Sequence, residues 1–131
     1  MIEQGHGKIL NMSSVAAFST ETYMSIYCAT KEFVRSFSEA IAEEVKGTGV
    51  TLTTFCSEPT ATGFEQAASM EKGSTMFRKA AKADDVAKGC IRAMTKGKVL
   101  SYYGRYIKCM NFLCRIVPRS VARKYAEKMN R

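Results

Sequence analysis

Lys8-Ile-Leu-Asn-Met-Ser-Ser14, a helical pattern from Met24 to Val45, and Val50-Thr-Leu-Thr-Thr-Phe-Cys56 together decide the fold of this chain. The short apolar run Lys8–Met12 ahead of the serines reads as a buried strand. Ile26, Phe33, Val34, Phe37, Ile41 and Val45 recur at three- and four-residue steps, which predicts a helix with those residues on its apolar face. Lys46-Gly-Thr-Gly49 ends that helix, with glycine suited to a left-handed cap. The β-branched and aromatic residues from Val50 to Cys56 predict a second strand. Strand, long helix, glycine turn and strand form the order of a βαβ unit, whose strands run parallel beneath the helix.

Working outward, a loop is expected from Val15 to Tyr23. Ser57 to Ala83 is looser, with Pro59, Gly63 and Gly73, and carries a short helix near Thr62–Met70. Asp84-Asp85 can start a helix whose apolar face is Val86, Ile91 and Met94, because acids suit a helix N-terminus. Lys98–Tyr103 is a third strand candidate. The expected class is α/β: a partial doubly wound parallel sheet with flanking helices and a basic C-terminal helical tail. Residues 1–103 form the α/β part and 104–131 the tail. The first strand begins about seven residues from Met1, so no segment that could form the sheet's other half precedes it, and the chain reads as truncated.

Composition excludes several classes. The chain has 131 residues, 46% hydrophobic and 24% charged, as in an ordinary soluble domain. No apolar run approaches the roughly 20 residues a bilayer needs. Met1 leads into a polar stretch rather than a signal peptide, so a cytoplasmic location is expected. Five cysteines form no Cys-x-x-Cys pair and read as reduced, mostly buried thiols. With one histidine, no metal site is expected. Residues 1–97 hold 11 basic and 11 acidic residues, whereas 98–131 hold nine basic residues and one acid, Glu127, so the tail carries the whole net charge of +8.

The chemistry centres on Tyr27-Cys-Ala-Thr-Lys31, which sets a phenol and an ammonium four residues apart on one helix face. A phenol is too weak an acid to exchange protons easily at neutral pH, and a neighbouring fixed cation favours its ionised form. So assisted, a tyrosine can donate a proton to a carbonyl or accept one from an alcohol. Ser14 lies 13 residues before Tyr27, directly after a strand. Taken singly, Tyr-x-x-x-Lys arises readily by chance. The joint pattern of Lys8–Ser14, Tyr27–Lys31, the long helix, Val50–Cys56 and Pro59-Thr-Ala-Thr62-Gly-Phe64 strongly resembles the short-chain dehydrogenase/reductase family, over roughly residues 7–100.

The resemblance implies a Rossmann-like sheet and a set of roles. Ser14 matches the serine that holds the substrate oxygen. Tyr27 matches the general acid/base. Lys31 matches the lysine that assists the tyrosine and binds the nicotinamide ribose. The cofactor implied is NAD or NADP, with hydride passing directly between nicotinamide and substrate carbon. Pro59, Thr60 and Thr62 match the loop at the nicotinamide carboxamide, beside Tyr27 and Lys31. Ser13, with a spacing of 14, is the less favoured serine. Phe64, Met70 and Phe77 match the segment over the substrate, where ordinary packing is an equal reading. Three departures stand out. The glycine-rich pyrophosphate turn is absent, as is the family's upstream asparagine. Ser57-Glu58 stands where the family has Pro-Gly, adding a side chain and a negative charge beside the expected cofactor.

In the tail, Ile107, Met110, Leu113, Cys114 and Val117 recur at helical spacing with Arg105, Lys108, Arg115 and Arg119 between them; Val121 and Tyr125 continue the pattern. This fits a helix packed on the body or a sister subunit with a solvated basic face, or a peripheral contact of 104–131 with an anionic membrane. Nucleic-acid binding is not expected, for want of a recognisable module. The reading is an NAD(P)-dependent oxidoreductase for a small-molecule carbonyl or alcohol, truncated and impaired in cofactor binding, and homo-oligomeric through the helix at 24–45. The alternative is a non-catalytic remnant serving as a self-association or membrane-surface module.

Overall fold

The computed structural model describes residues 1–63, 80–104, 106–118, 120, 121 and 124. β1 (Gly7–Ser14) leads into a 3-10 turn (Val15–Phe18), then α1 (Ser25–Glu44) and β2 (Val50–Ser57). The short β3 (Thr60–Ala61) and β4 (Ala81–Lys82) pair with each other. α2 (Ala83–Thr95), β5 (Leu100–Tyr103) and α3 (Ile107–Ile116) follow. The main sheet has the order β1-β2-β5, with both pairings parallel. It is an α/β fold with a parallel sheet and flanking helices, as the sequence pattern requires. β1 runs two residues further than expected, to Ser14, opposite Ser57 at the end of β2. Among the described residues β1 pairs on one side only.

β2 is central, and its residues Leu52 to Cys56 are buried. Strand alternation assigns each neighbour a face. On one face, the Asn11 amide donates to Ser38 Oγ at 2.9 Å and Ser13 Oγ donates to the Lys31 carbonyl at 2.8 Å, which fastens α1 across β1. On the other face, Phe55, Val86, Cys90 and Ala93 form a core flanked by Leu10, Ala81 and Tyr103, which holds α2. Gly89 permits that close approach, since a Cβ there would sit 3.1 Å from the Tyr103 ring and 3.2 Å from Phe55. Gly49, at φ +80°, tolerates no side chain because a Cβ would overlap the Gly5 carbonyl.

Two expectations are corrected. α1 buries Cys28, Ser38 and Ala42 against the sheet, not its large apolar residues. Ile26, Phe33 and Phe37 are 80%, 65% and 50% exposed, and the two phenyl rings stack at 5.6 Å. Small residues let the helix axis approach the sheet, so the bulky stripe turns outward; periodicity marks a stripe but not what covers it. On α2, Val86 is buried while Ile91 is exposed, with Cys90 and Ala93 taking the inner positions. Cys28, Cys56 and Cys90 are buried, Cys109 is exposed, and all five thiols are free. Burial pushes the Cys56 thiol up to about 11, which keeps it protonated and unreactive at neutral pH. Among the described residues no helix is long and apolar enough to cross a membrane.

Candidate active site

The serines, the Tyr27–Lys31 turn and the Pro59–Thr62 segment gather at the carboxyl edge of the parallel sheet, where ligands bind in open α/β sheets. Ser14 ends β1 and begins the 3-10 turn, and its Oγ accepts the Ala16 N–H at 3.2 Å. That turn was not foreseen; it is a local Ser capping motif too short for periodicity to signal. Ser13 points the other way along the strand alternation and donates to the Lys31 carbonyl, so it anchors the first turns of α1. Adjacent serines therefore have separate environments.

Lys31 and Tyr27 meet as the four-residue spacing predicts. The Lys31 ammonium lies 5.7 Å from the Tyr27 ring centroid. It also donates to the Met12 carbonyl at 3.4 Å, which ties it to the end of β1. Both side chains are half-buried. The loop entering α1 passes through Tyr23 at φ +67°, the left-handed region that costs a non-glycine residue on the order of 1 kcal/mol.

Sequence reasoning did not single out Arg35. Its guanidinium bonds Glu32 and Glu39, the latter at 3.1 Å, and sits 5.2 Å from the Phe18 ring. The Glu32 bond, with Glu39 assisting, raises its already high proton affinity. It thereby pins the 3-10 turn, and with it Ser14, onto α1. The signal was legible as Glu32-x-x-Arg35-x-x-x-Glu39, an i,i+3 and i,i+4 ion-pair pattern. Phe18 in turn packs on Tyr102 at 5.8 Å, and Asn111 of α3 donates to the Tyr102 hydroxyl at 2.9 Å.

Beyond β2, the Pro59 carbonyl accepts the Ala81 N–H at 2.9 Å, and Thr60 Oγ1 donates to the Glu58 carbonyl at 3.0 Å. Thr62 is exposed. Phe64, Met70 and Phe77, and the helix expected near Thr62–Met70 beyond Gly63, lie outside the described residues. Glu58 leans on Gly104, where φ is +122° and a Cβ would overlap its carboxylate. Glu58, Tyr102, Tyr103, Gly104 and Lys108 line an open pocket of about 460 Å³. Among the described residues no cluster of His, Cys, Asp or Glu could hold a metal ion.

The short chain dehydrogenase family model matches residues 1–73, more than half of the chain. An uncharacterized oxidoreductase of Staphylococcus aureus (strain USA300) is 28% identical over 98 residues, spanning 75% of this chain and 40% of the relative. A very-long-chain 3-oxoacyl-CoA reductase of Bos taurus is 44% identical over 50 residues, 38% of this chain and 16% of that protein. A short-chain dehydrogenase from Sphingobium yanoikuyae, solved in complex with NADPH, superposes with a TM-score of 0.70 at 24% identity, over 77% of this chain and 39% of that one. The chain thus spans less than half the length of each of these three proteins.

Proposed function

The chain belongs to the short-chain dehydrogenase family, and from that premise we propose that it is the catalytic half of an NAD(P)-dependent oxidoreductase acting on a small carbonyl or alcohol. In this reading residues 1–103 form the catalytic half, with 104–131 as a basic tail. The observation that carries it is the Lys31 ammonium, held over the Tyr27 ring and tethered to the end of the serine-bearing strand. Tyr27 would hand a proton to a substrate oxygen or take one from it, as a general acid/base does. Ser14 would hold that oxygen and stabilise charge developing on it. Lys31 has three donors, and the Met12 bond uses one, leaving capacity for ribose hydroxyls. Pro59, Thr60 and Thr62 would border the nicotinamide ring from the neighbouring strand end. A bound nicotinamide would supply or accept the hydride. The same edge carries the Tyr27–Lys31 pair and a half-buried ammonium with donors to spare, so these residues fit the nicotinamide-ribose end of NAD or NADP. Helix α1 would serve homo-oligomerisation, since Ile26, Phe33 and Phe37 present an uncovered apolar stripe.

The two serines test the assignment. Ser14→Ala should lower kcat by about a hundredfold, with little change in folding. Ser13→Ala should loosen the start of α1 yet leave kcat within a few-fold, because its hydroxyl is engaged by the Lys31 carbonyl. A larger kcat loss in Ser13→Ala than in Ser14→Ala would put the substrate oxygen on the wrong serine and sink the assignment.

Glu58 weakens the cofactor side of this reading. Its carboxylate adds negative charge beside a ligand that is itself anionic. Glu58→Gly should therefore tighten binding of reduced nicotinamide cofactor about tenfold, read by fluorescence titration of the chain joined to a dinucleotide-binding segment. Unchanged affinity would show that Glu58 is not beside the cofactor.

A further inference from the structure

From Val86 to Ala126 the sequence holds ten Lys or Arg and no Asp or Glu. α3 lies within this stretch and spans about 15 Å at 1.5 Å per residue. Its inner side is accounted for: Ile107 is buried, Met110 and Cys114 are half-buried, and Asn111 bonds Tyr102. Phe112 and Ile116 are each 64% exposed, Leu113 is 48% exposed, and Cys109 completes the patch. Exposed Lys108 borders it, and exposed Tyr106 precedes it.

We infer that this outward face of α3 is a docking surface for an anionic lipid bilayer. Two properties must be matched together: an aromatic and aliphatic patch, and a surrounding sequence of one charge sign. A headgroup boundary with anionic lipid accepts both, with apolar side chains entering and cations meeting phosphates and carboxylates. A symmetric contact between two copies would instead press two strongly positive tails together. Apolar burial supplies the specificity of the face, and charge adds a salt-dependent attraction.

The placement has a functional consequence. α3 packs against the 3-10 turn that follows Ser14 and against β5. Its Lys108 lines the open pocket shared with Glu58, Tyr102, Tyr103 and Gly104 at the carboxyl ends of β2 and β5. Docking would therefore set the carboxyl edge of the sheet beside the lipid surface, where a lipophilic substrate partitions. Membrane binding itself does not depend on the chemistry at Tyr27, so its test reads independently of the oxidoreductase proposal.

The purified full chain is mixed with vesicles of phosphatidylcholine alone, or of phosphatidylcholine with phosphatidylserine, and sedimented. It should bind the phosphatidylserine vesicles and be released as salt rises. Phe112→Ser/Ile116→Ser should weaken that binding about tenfold or more, and Lys108→Glu should weaken it in the low-salt range. All three positions are exposed, so circular dichroism should show an unchanged fold. Phe33→Ser/Phe37→Ser on α1 should leave vesicle binding intact while lowering oligomeric mass, and Tyr27→Phe should bind as the parent chain does. Absence of binding to phosphatidylserine vesicles overturns the inference, as does undiminished binding by Phe112→Ser/Ile116→Ser. A fall in lipid-free oligomeric mass in Phe112→Ser/Ile116→Ser would also overturn it, assigning the face to a second copy.

Discussion

Tyr27→Phe should lower turnover of a carbonyl substrate by roughly a thousandfold, within the range that general acid/base catalysis supplies. The measurement needs this chain joined to a dinucleotide-binding segment, since the glycine-rich turn is not in its sequence. The substitution keeps the ring over which the Lys31 ammonium sits and removes only the hydroxyl. Thermal stability should therefore shift by no more than a few degrees, while kcat falls and the cofactor dissociation constant changes little. That combination separates a proton-transfer role from a packing role. A half-buried tyrosine that merely fills space would behave as phenylalanine does. Wild-type turnover in Tyr27→Phe is the result that defeats the oxidoreductase reading.

Phe55→Ala should destabilise the chain by about 3–5 kcal/mol, seen as a lower denaturant midpoint at similar slope. Phe55 is 1% exposed in the central strand and packs on Val86, Cys90 and Ala93 from α2. Truncation leaves a cavity that Gly89 cannot fill, because that residue contributes no side chain. A loss of several kcal/mol is a large share of the stability of any domain this size. Ile91→Ala, on the exposed side of the same helix, should cost less than about 1 kcal/mol. If the two substitutions cost the same, α2 does not pack as described.

The contrast between Phe55 and Ile91 also marks where sequence reading stops. Both stand in apolar patterns, and both strand and helix were legible, because strand alternation and helical periodicity are local. Which side of each helix is covered depends on the element it meets. For α1 the intuitive choice was the bulky stripe of Ile26, Phe33 and Phe37, yet Cys28, Ser38 and Ala42 face the sheet. On α3, Ile107 is buried while Phe112 and Ile116 are exposed, a division that apolar character along the chain does not reveal.

The candidate site divides in the same way. The Tyr27–Lys31 contact follows from four-residue spacing on a helix, a geometry that every α-helix enforces, so the sequence alone determined it. The βαβ order and its parallel pairing were determined likewise, by periodicity and the length of the crossover. Only tertiary structure decided that Ser13 anchors α1 while Ser14 caps the 3-10 turn, that Arg35 clamps Phe18, and that Glu58 leans on Gly104. Those relations join residues on different elements. Their distances are set by how helices seat on the sheet, and no spacing along the chain encodes that seating.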